Sequence, residues 1–281
     1  MSIAARVVAD SISPKGKRIT TFVLTYPRFI HAEFMTHRVF SRNAASSRAI
    51  PAKKIRKAVR EDPALPIYWG KNQPGMSADE ELGGWQLKLV KFLLFTVAMR
   101  FMLAINWMCE KLGLHKQIAN RYLEPWFNIT VVVTSTEWAN FYHLRNHKKA
   151  QPEIRELAQS MLEAQNQSIP RMLQYGQWHL PFVEDSELVE MELKEALQVS
   201  VARCARVSYL NHEGKRSTFQ EDLRLFNRLL VEEPIHASPA EHQATPNEWP
   251  GEPCGNFFGW IQHRKMFANE NLVEYKGLTI P

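Results

Sequence analysis

"RITTFVLTYPRFIHAEFMTHRVFSRNAASSRAIP", residues 18 to 51, decides the fold class, because its periodicity changes twice within one short run. Arg18 to Tyr26 alternates through Phe22, Leu24 and Tyr26, the pattern of a half-buried strand that ends at Pro27. Pro27 suits a first helical turn, so a helix is expected from there toward Met35. Beyond Thr36 neither period survives, and His37, Arg38, Arg42 and Arg48 alternate with Ser41, Asn43, Ser46 and Ser47. A strand, a short helix and a polar loop in succession make a junction at which side chains can be presented to a ligand.

The same two periods recur outward from this stretch. Ser77-x-x-Glu80 has the form of a capping box and predicts the start of a long apolar helix through Trp85 to Leu112. Phe127 to Thr134 reads as a strand, and Thr134-x-x-Glu137 as the cap of a helix after it. Pro152 opens a helix with Ile154, Leu157, Ala158, Met161 and Leu162 on one face; a further helix follows Ser186, and Thr218-x-x-Glu221 caps one that turns Leu223, Phe226, Leu229 and Leu230 inward. Helices and strands mix without a βαβ rhythm, so the expected class is α+β, a mixed or antiparallel sheet packed with helices.

With 281 residues, 45% of them hydrophobic, the chain can bury one large core or two modest ones, and disorder is excluded. The net charge of +6 is spread along the sequence without a basic block, which suits an anionic small molecule as readily as nucleic acid. Cys109, Cys204 and Cys254 share no metal spacing, so neither a structural disulfide nor a metal site is expected, and a reducing cytoplasmic compartment fits. Lys88, Lys91, Arg100 and Asn106 interrupt the Trp85–Leu112 run; each central charge costs about 2.5–3.5 kcal/mol in a bilayer, so no membrane span is expected. A long helix buried against other helices or another subunit is expected instead.

Ser46-x-Arg48 forms a compact anion clamp, since a guanidinium offers a planar fork to phosphate oxygens and the hydroxyl adds a donor. The alternative is a basic surface loop with a capping Ser. No acidic residue in the loop neutralises Arg38, Arg42 or Arg48, which favours a ligand in that role. A weak internal repeat joins the two ends of the chain: His263-Arg264 is followed by Asn269-Glu270 at the spacing that joins His37-Arg38 to Asn43-Ala44.

These residues resemble the flavin-dependent thymidylate synthase signature R-H-R-x-x-S-x-N-x-x-S-x-R-Y, matched at His37, Arg38, Ser41, Asn43, Ser46 and Arg48, with Thr36 for the first Arg and Ala49 for the Tyr. A second block supports the resemblance. Arg121-x-Leu123-x-Pro125 stands for R-x-x-L-P, Asn140-Phe141 with Leu144-Arg145 for N-F-x-x-L-R, and Ala150 to Arg155 for A-Q-x-E-I-R. A third, "ARVSY" (205–209) with "PIHASPAEHQA" (234–244), is similar to segments that open the family's chains yet here closes this one, as in a circular permutation of bacteriophage type. The chain is thereby expected to be one domain, 1–281, in which residues 1–175 hold the signature loop and helical core and 176–281 the permuted segment with a degenerate second signature.

The resemblance implies a flavoenzyme that moves a one-carbon unit from methylenetetrahydrofolate to C5 of dUMP, using FAD and NADPH, as a homo-oligomer, tetramer or dimer, with neither nucleic acid nor membrane as partner. Substrate contacts carry over to Ala44, Ser46, Ser47, Arg48 and Arg121, with Arg145 polarising the pyrimidine as the catalytic residue. Flavin contacts carry over to His37, Arg38, Ser41, Asn43, Thr134 and Asn140. The closing segment adds Ser208, His236, Ser238, His263 and Arg264, with Asn269 and Glu270 from the second signature. Ala44 stands where the family has Glu, and Glu33 where it has Gln. A carboxylate at position 33 suits an exocyclic amine, so dCMP and a hydroxymethyl product remain alternatives, as does a non-catalytic nucleotide binder. A basic single-strand binder that uses Trp and Phe as stacking platforms is the third class.

Overall fold

The computed structural model describes residues 3–207, 215–249, 251 and 253–271. Its centre is a five-stranded sheet of β1 (Ala4–Ile12), β2 (Arg18–Pro27), β3 (Ser41–Ala44), β4 (Asn128–Ser135) and β5 (Arg171–Met172), in the order β3-β4-β2-β1-β5. All neighbours are antiparallel except β1 and β5. With the helices packed around it, this is the expected mixed α+β class.

The strand at 18–27 forms, but both its faces are covered rather than one. Phe22, Leu24 and Tyr26 join Ile129, Val131 and Val133 of β4 on one face, under Ile154, Leu157, Ala158 and Met161 of the Pro152–Gln167 helix. Val23 and Val132 point the other way, into a second cluster with Phe182, Cys204 and Val207. Period two therefore assigns each strand residue to one of two cores. A strand buried on both faces reads as a nearly continuous apolar run, as "ITVVV" in β4 does.

Several expected boundaries move. Pro27 caps a short 3-10 turn, Arg28–Ile30, which leads to a single helical turn, His31–Phe34. Ser77 and Glu80 lie in a loop closed by the Gly70 to Glu81 bridge, and the long helix begins at Gly84. Thr134 caps nothing: it is the buried penultimate residue of β4, and the next helix is Ala139–Arg145. The helix expected after Ser186 divides into Asp185–Leu188 and Leu193–Arg206, whereas Phe219–Leu230 has the Thr218/Glu221 capping box in full.

The largest correction concerns the long helix, Gly84–Lys111, because only 17% of its most apolar window is buried. A narrow stripe of Met99 and Leu103 packs on Ile55, Val59, Leu123 and Phe127. Elsewhere Trp85 is 71% exposed, Phe101 63% and Trp107 51%, because the described residues provide no second surface to cover them. Asn106 is buried beneath the helix, accepting from Arg56 and donating to the Ala119 carbonyl, while Glu110 pairs with Arg56. By length and composition the helix could cross a membrane; Lys88, Lys91, Arg100 and Asn106 lie along it.

Candidate active site

Strand β3 lies on the sheet edge beside β4, with Ser41 opposite Thr134 and Asn43 opposite Val132. Ser41 and Asn43 share the face that the closing segment covers. Ser41 accepts from Gln262 at 3.0 Å and from Asn256 at 3.4 Å, so its hydroxyl ties the hairpin at 253–258 and the strand Trp260–Gln262 to the signature strand. Arg42 does not await a ligand: its Nη1 donates to the carbonyls of Met35 and His37, both at 3.0 Å, and closes the preceding turn. The loop's lack of acids is thus answered in part by backbone oxygens.

At the other end of that turn, Arg145 closes the 139–145 helix and reaches back across the strand–helix junction. Its Nε donates to His37 Nε2 at 2.9 Å, its Nη1 pairs with Glu33, and its Nη2 lies 3.4 Å from the Thr36 hydroxyl. His37 is buried against Phe40 and Phe141. Desolvation, then the charges of Arg145 and Arg42, lower its pKa to about 4, so the ring is neutral and accepts from Arg145.

The anion-clamp loop is fastened separately. Asn120 donates to the carbonyls of Ser47 and Ile50 at 2.8 and 2.9 Å, and Lys116 donates to that of Ala49. These ties bring Arg121, the next residue along, to the loop that displays Ser46 and Arg48. All three side chains, and Ala44, are exposed. Ser47 is not displayed: it is 4% exposed and donates to Glu124, a carboxylate also paired with Arg28. Its place among the substrate contacts is corrected to that of a loop anchor.

Of the residues assigned to flavin, Arg38, Asn140, His236 and Ser238 are exposed, Asn43 is half-buried with Ser238 beside it, and Thr134 is buried. Arg264 pairs with Glu241 and, at 2.6 Å, with Glu270, whose carboxylate also holds Lys265. The second signature thus neutralises its own arginine. Asn269 lies at the surface, 3.5 Å from Glu233. Ser208 lies outside the described residues. His263 is 9% exposed, packs edge-on against Trp178, and leaves Nδ1 buried without a partner.

Two further buried histidines belong to this region, one of which, His179, the sequence reading did not single out, while His242 was legible only as a turn histidine beside prolines. His242 sits between Thr134 and Asn43, and His179 between Ser11 and Thr21. His242 lies in the "AEHQ" segment, where only its proline-rich neighbourhood was visible; nothing in "GQWHLP" marks His179, whose position depends on non-local packing. Beyond the 139–145 helix, Phe29, Tyr68, Met76, Lys148, Lys149 and Arg155 line a groove of about 590 Å³.

The family model of the thymidylate synthase complementing proteins matches residues 16–171. The chain belongs to that family. Membership makes it an enzyme of the methyltransferase type, and the match spans the signature loop, Arg121 and Arg145. The UMP/dUMP methylase PolB of Streptomyces cacaoi, solved with 5-Br dUMP, is similar at 18% identity and TM-score 0.47, over 61% of this chain and 91% of its own. The flavin-dependent thymidylate synthase ThyX of Helicobacter pylori, solved with FAD and dUMP, is similar at 16% identity and TM-score 0.35, over 52% and 67%. A search of curated proteins gives no match.

Proposed function

We propose that this family member binds a pyrimidine deoxynucleoside monophosphate and transfers a one-carbon unit from methylenetetrahydrofolate to its C5, with FAD and NADPH. The observation that carries this reading is the placement of Arg145 beside neutral His37 and the side chain of Glu33, at the junction that also leads into the Ser46/Arg48 loop. Arg48 and Arg121 offer forked donors to a phosphate, and Ser46 a hydroxyl. Arg145 stabilises negative charge developing on the pyrimidine ring, which a fixed guanidinium in a partly dehydrated site does better than water. His37, without a charge of its own, holds the Arg145 Nε, while Nη1 pairs with Glu33 and Nη2 makes only a long 3.4 Å contact to the Thr36 hydroxyl.

The donor set fits FAD. Arg38, Asn140, His236 and Ser238 are available donors, and the orphaned His263 Nδ1 is a buried ring atom without a protein partner. A bound flavin would supply the redox and one-carbon carrier chemistry. Lys148, Lys149 and Arg155 give the 590 Å³ groove three cations for an anionic co-substrate such as folate or the nicotinamide nucleotide.

Glu33 favours a second reading for the base. As a carboxylate it accepts hydrogen bonds only, from uracil N3–H or from the cytosine exocyclic amine, so dCMP methylation or hydroxymethylation is the alternative. The deciding experiment incubates FAD-loaded protein with methylenetetrahydrofolate, NADPH and either dUMP or dCMP. A product 14 mass units heavier than dUMP, a gain of about one CH₂, supports the first reading; an unchanged nucleotide in both reactions overturns both.

For the assembly we propose a homo-oligomer whose subunits meet along the long helix. The helix is π-helical over Phe92–Met99, so its apolar residues are spread around it rather than gathered in one heptad seam. Leu94, Val97, Phe101 and Met108 are exposed in the single chain. The permuted origin of residues 176–281 is likewise a proposal, supported by the return of that segment to the second face of the sheet.

A further inference from the structure

Four neighbouring strands place polar side chains in one line on the sheet face covered by the closing segment: Asn43 on β3, Thr134 on β4, Thr21 on β2 and Ser11 on β1. Thr21 and Thr134 are register partners, and their hydroxyls lie 2.7 Å apart. Two histidines complete a continuous line across the strands. His179 bridges Ser11 (Nδ1, 2.9 Å) to Thr21 (Nε2, 2.8 Å), and His242 bridges Thr134 (Nδ1, 2.8 Å) to Asn43 (Nε2, 3.0 Å). Both imidazoles are at most 1% exposed, and desolvation lowers each pKa to about 3, so both are neutral.

A neutral imidazole donates from one nitrogen and accepts at the other, and a hydroxyl donates once. Among the described hydrogen bonds the Thr21 and Thr134 hydroxyls have no acceptor outside the line, so with each hydroxyl proton spent within it the line runs in one sense from end to end, and two senses are possible. Asn43 selects between them. The amide atom that faces His242 also lies 3.0 Å from the Ser238 carbonyl and 3.2 Å from the Arg42 carbonyl. Carbonyl oxygens only accept, so that atom is nitrogen. His242 Nε2 then accepts from Asn43, and His242 Nδ1–H donates to Thr134. Thr134 donates to Thr21, Thr21 to His179 Nε2, and His179 Nδ1–H to Ser11. The Asn43 carbonyl oxygen is left turned away from His242.

We infer that His179 is a positioning residue: the Arg42 and Ser238 carbonyls orient the Asn43 amide, and the line from His179 through Thr21, Thr134 and His242 holds it there, with its carbonyl oxygen beside the Ser238 hydroxyl as an acceptor for an N–H or O–H of the bound flavin. This rests on the proposed function in one respect, that Asn43 lines the flavin cleft; the sense of the hydrogen-bond line does not depend on it. A ligand acceptor at that point would meet oxygen rather than nitrogen and be repelled.

The test uses the full chain labelled with ¹⁵N, first without ligand. Imidazole ¹H–¹⁵N spectra are expected to show His179 and His242 both as the neutral Nδ1–H tautomer across roughly pH 5 to 8. His179→Gln preserves the sense, because its carbonyl accepts from Thr21 and its amide donates to Ser11; His242 should keep its tautomer and FAD affinity should stay within about twofold. His179→Phe removes both contacts, so His242 should lose its single tautomer and FAD affinity should fall about tenfold. An Nε2–H tautomer at His242 in the unmodified protein overturns the inference, as does a His179→Phe protein that matches the unmodified one in both readouts. If His179→Phe fails to fold, the tautomer of the unmodified protein and the His179→Gln affinity decide. An unmodified protein that binds no FAD would sink the functional reading while leaving the tautomer result to judge the line.

Discussion

The Nε–H of Arg145 donates to Nε2 of His37 across 2.9 Å, so a residue from the signature loop and one from a helix more than a hundred positions later share a hydrogen bond. The bond requires an uncharged His37, and the ring's burial and its cationic neighbours ensure that state. One arginine thereby joins the loop, the helix and Glu33 in a single unit.

Acid should destabilise the protein in two stages. The pKa values of His37, His179, His242 and His263 are lowered from 6.5 to about 4, 3, 3 and 4, so between these values the unfolded chain binds more protons than the native one. Stability is then fully present above 6.5 and falls as pH drops toward the folded values. Glu187, lowered to about 2 with Arg203 as its main hydrogen-bonding partner, adds a later loss below its ordinary 4.5. Urea midpoints measured against pH should decline from about pH 6.5 downward; a midpoint unchanged to pH 4 contradicts the buried neutral rings.

Replacing Glu33 should separate the two substrate readings. Glu33→Gln restores the family's residue and frees Arg145 from its ion pair. The ratio of dCMP to dUMP dissociation constants should rise about tenfold, because the amide supplies both donor and acceptor where the carboxylate only accepted. Calorimetric titration with the two nucleotides reads it directly, and an unchanged ratio would remove Glu33 from base recognition.

Arg145→Ala should lower kcat by about a hundred- to a thousandfold, the scale of losing one fixed donor to a charged transition state. Arg145→Lys should recover little, since a lysine cannot hold His37 and Glu33 with one planar fork. Steady-state kinetics with circular dichroism as a folding control distinguishes this from collapse, and a variant within about threefold of the original would remove Arg145 from the chemistry.

Asp222 is fully buried between Arg203 and Arg206, with Glu187 on the far side of Arg203. Removing its charge by Asp222→Ala leaves Arg203 without one of its two carboxylates in a closed interior and should cost about 3–5 kcal/mol of unfolding free energy. Denaturant unfolding checks this; a change below about 1 kcal/mol would show that the interior relaxes around the loss of the Asp222 carboxylate.

The long helix makes a prediction about mass. Light scattering on the purified chain should give a multiple of 32.6 kDa. Phe101→Glu, at an exposed apolar position of the helix, should weaken the assembly at least about tenfold in dissociation constant. A monodisperse, soluble 32.6 kDa species of the unmodified protein would show that subunits do not cover this face.

Local order was legible wherever burial on one side set a period. The strand at 18–27, the helix opened by Pro152 and the Thr218 capping box were all readable because each is encoded within a few consecutive residues. The anchoring of the loop was not, since Ser46 and Ser47 are adjacent and chemically alike, and only Glu124 turns Ser47 inward. The Thr134 and Ser77 caps failed for a similar reason: the motif fits a cap, but β4 pairs through to Ser135, and the loop at 70–81 bridges upon itself.

By itself the sequence determined the mixed α+β class, the family signature and the residue types able to hold a phosphate, because spacing and chemistry are properties of the chain. Tertiary structure alone decided which of those side chains are spent and which are offered. Arg42 went to backbone carbonyls, Arg264 to two carboxylates, and His179 and His242 to a line across four strands, because hydrogen bonds in a closed interior must be satisfied by whatever the fold brings near. The apolar helix shows the converse: its composition indicated burial, yet only a packed partner can supply the surface that buries it.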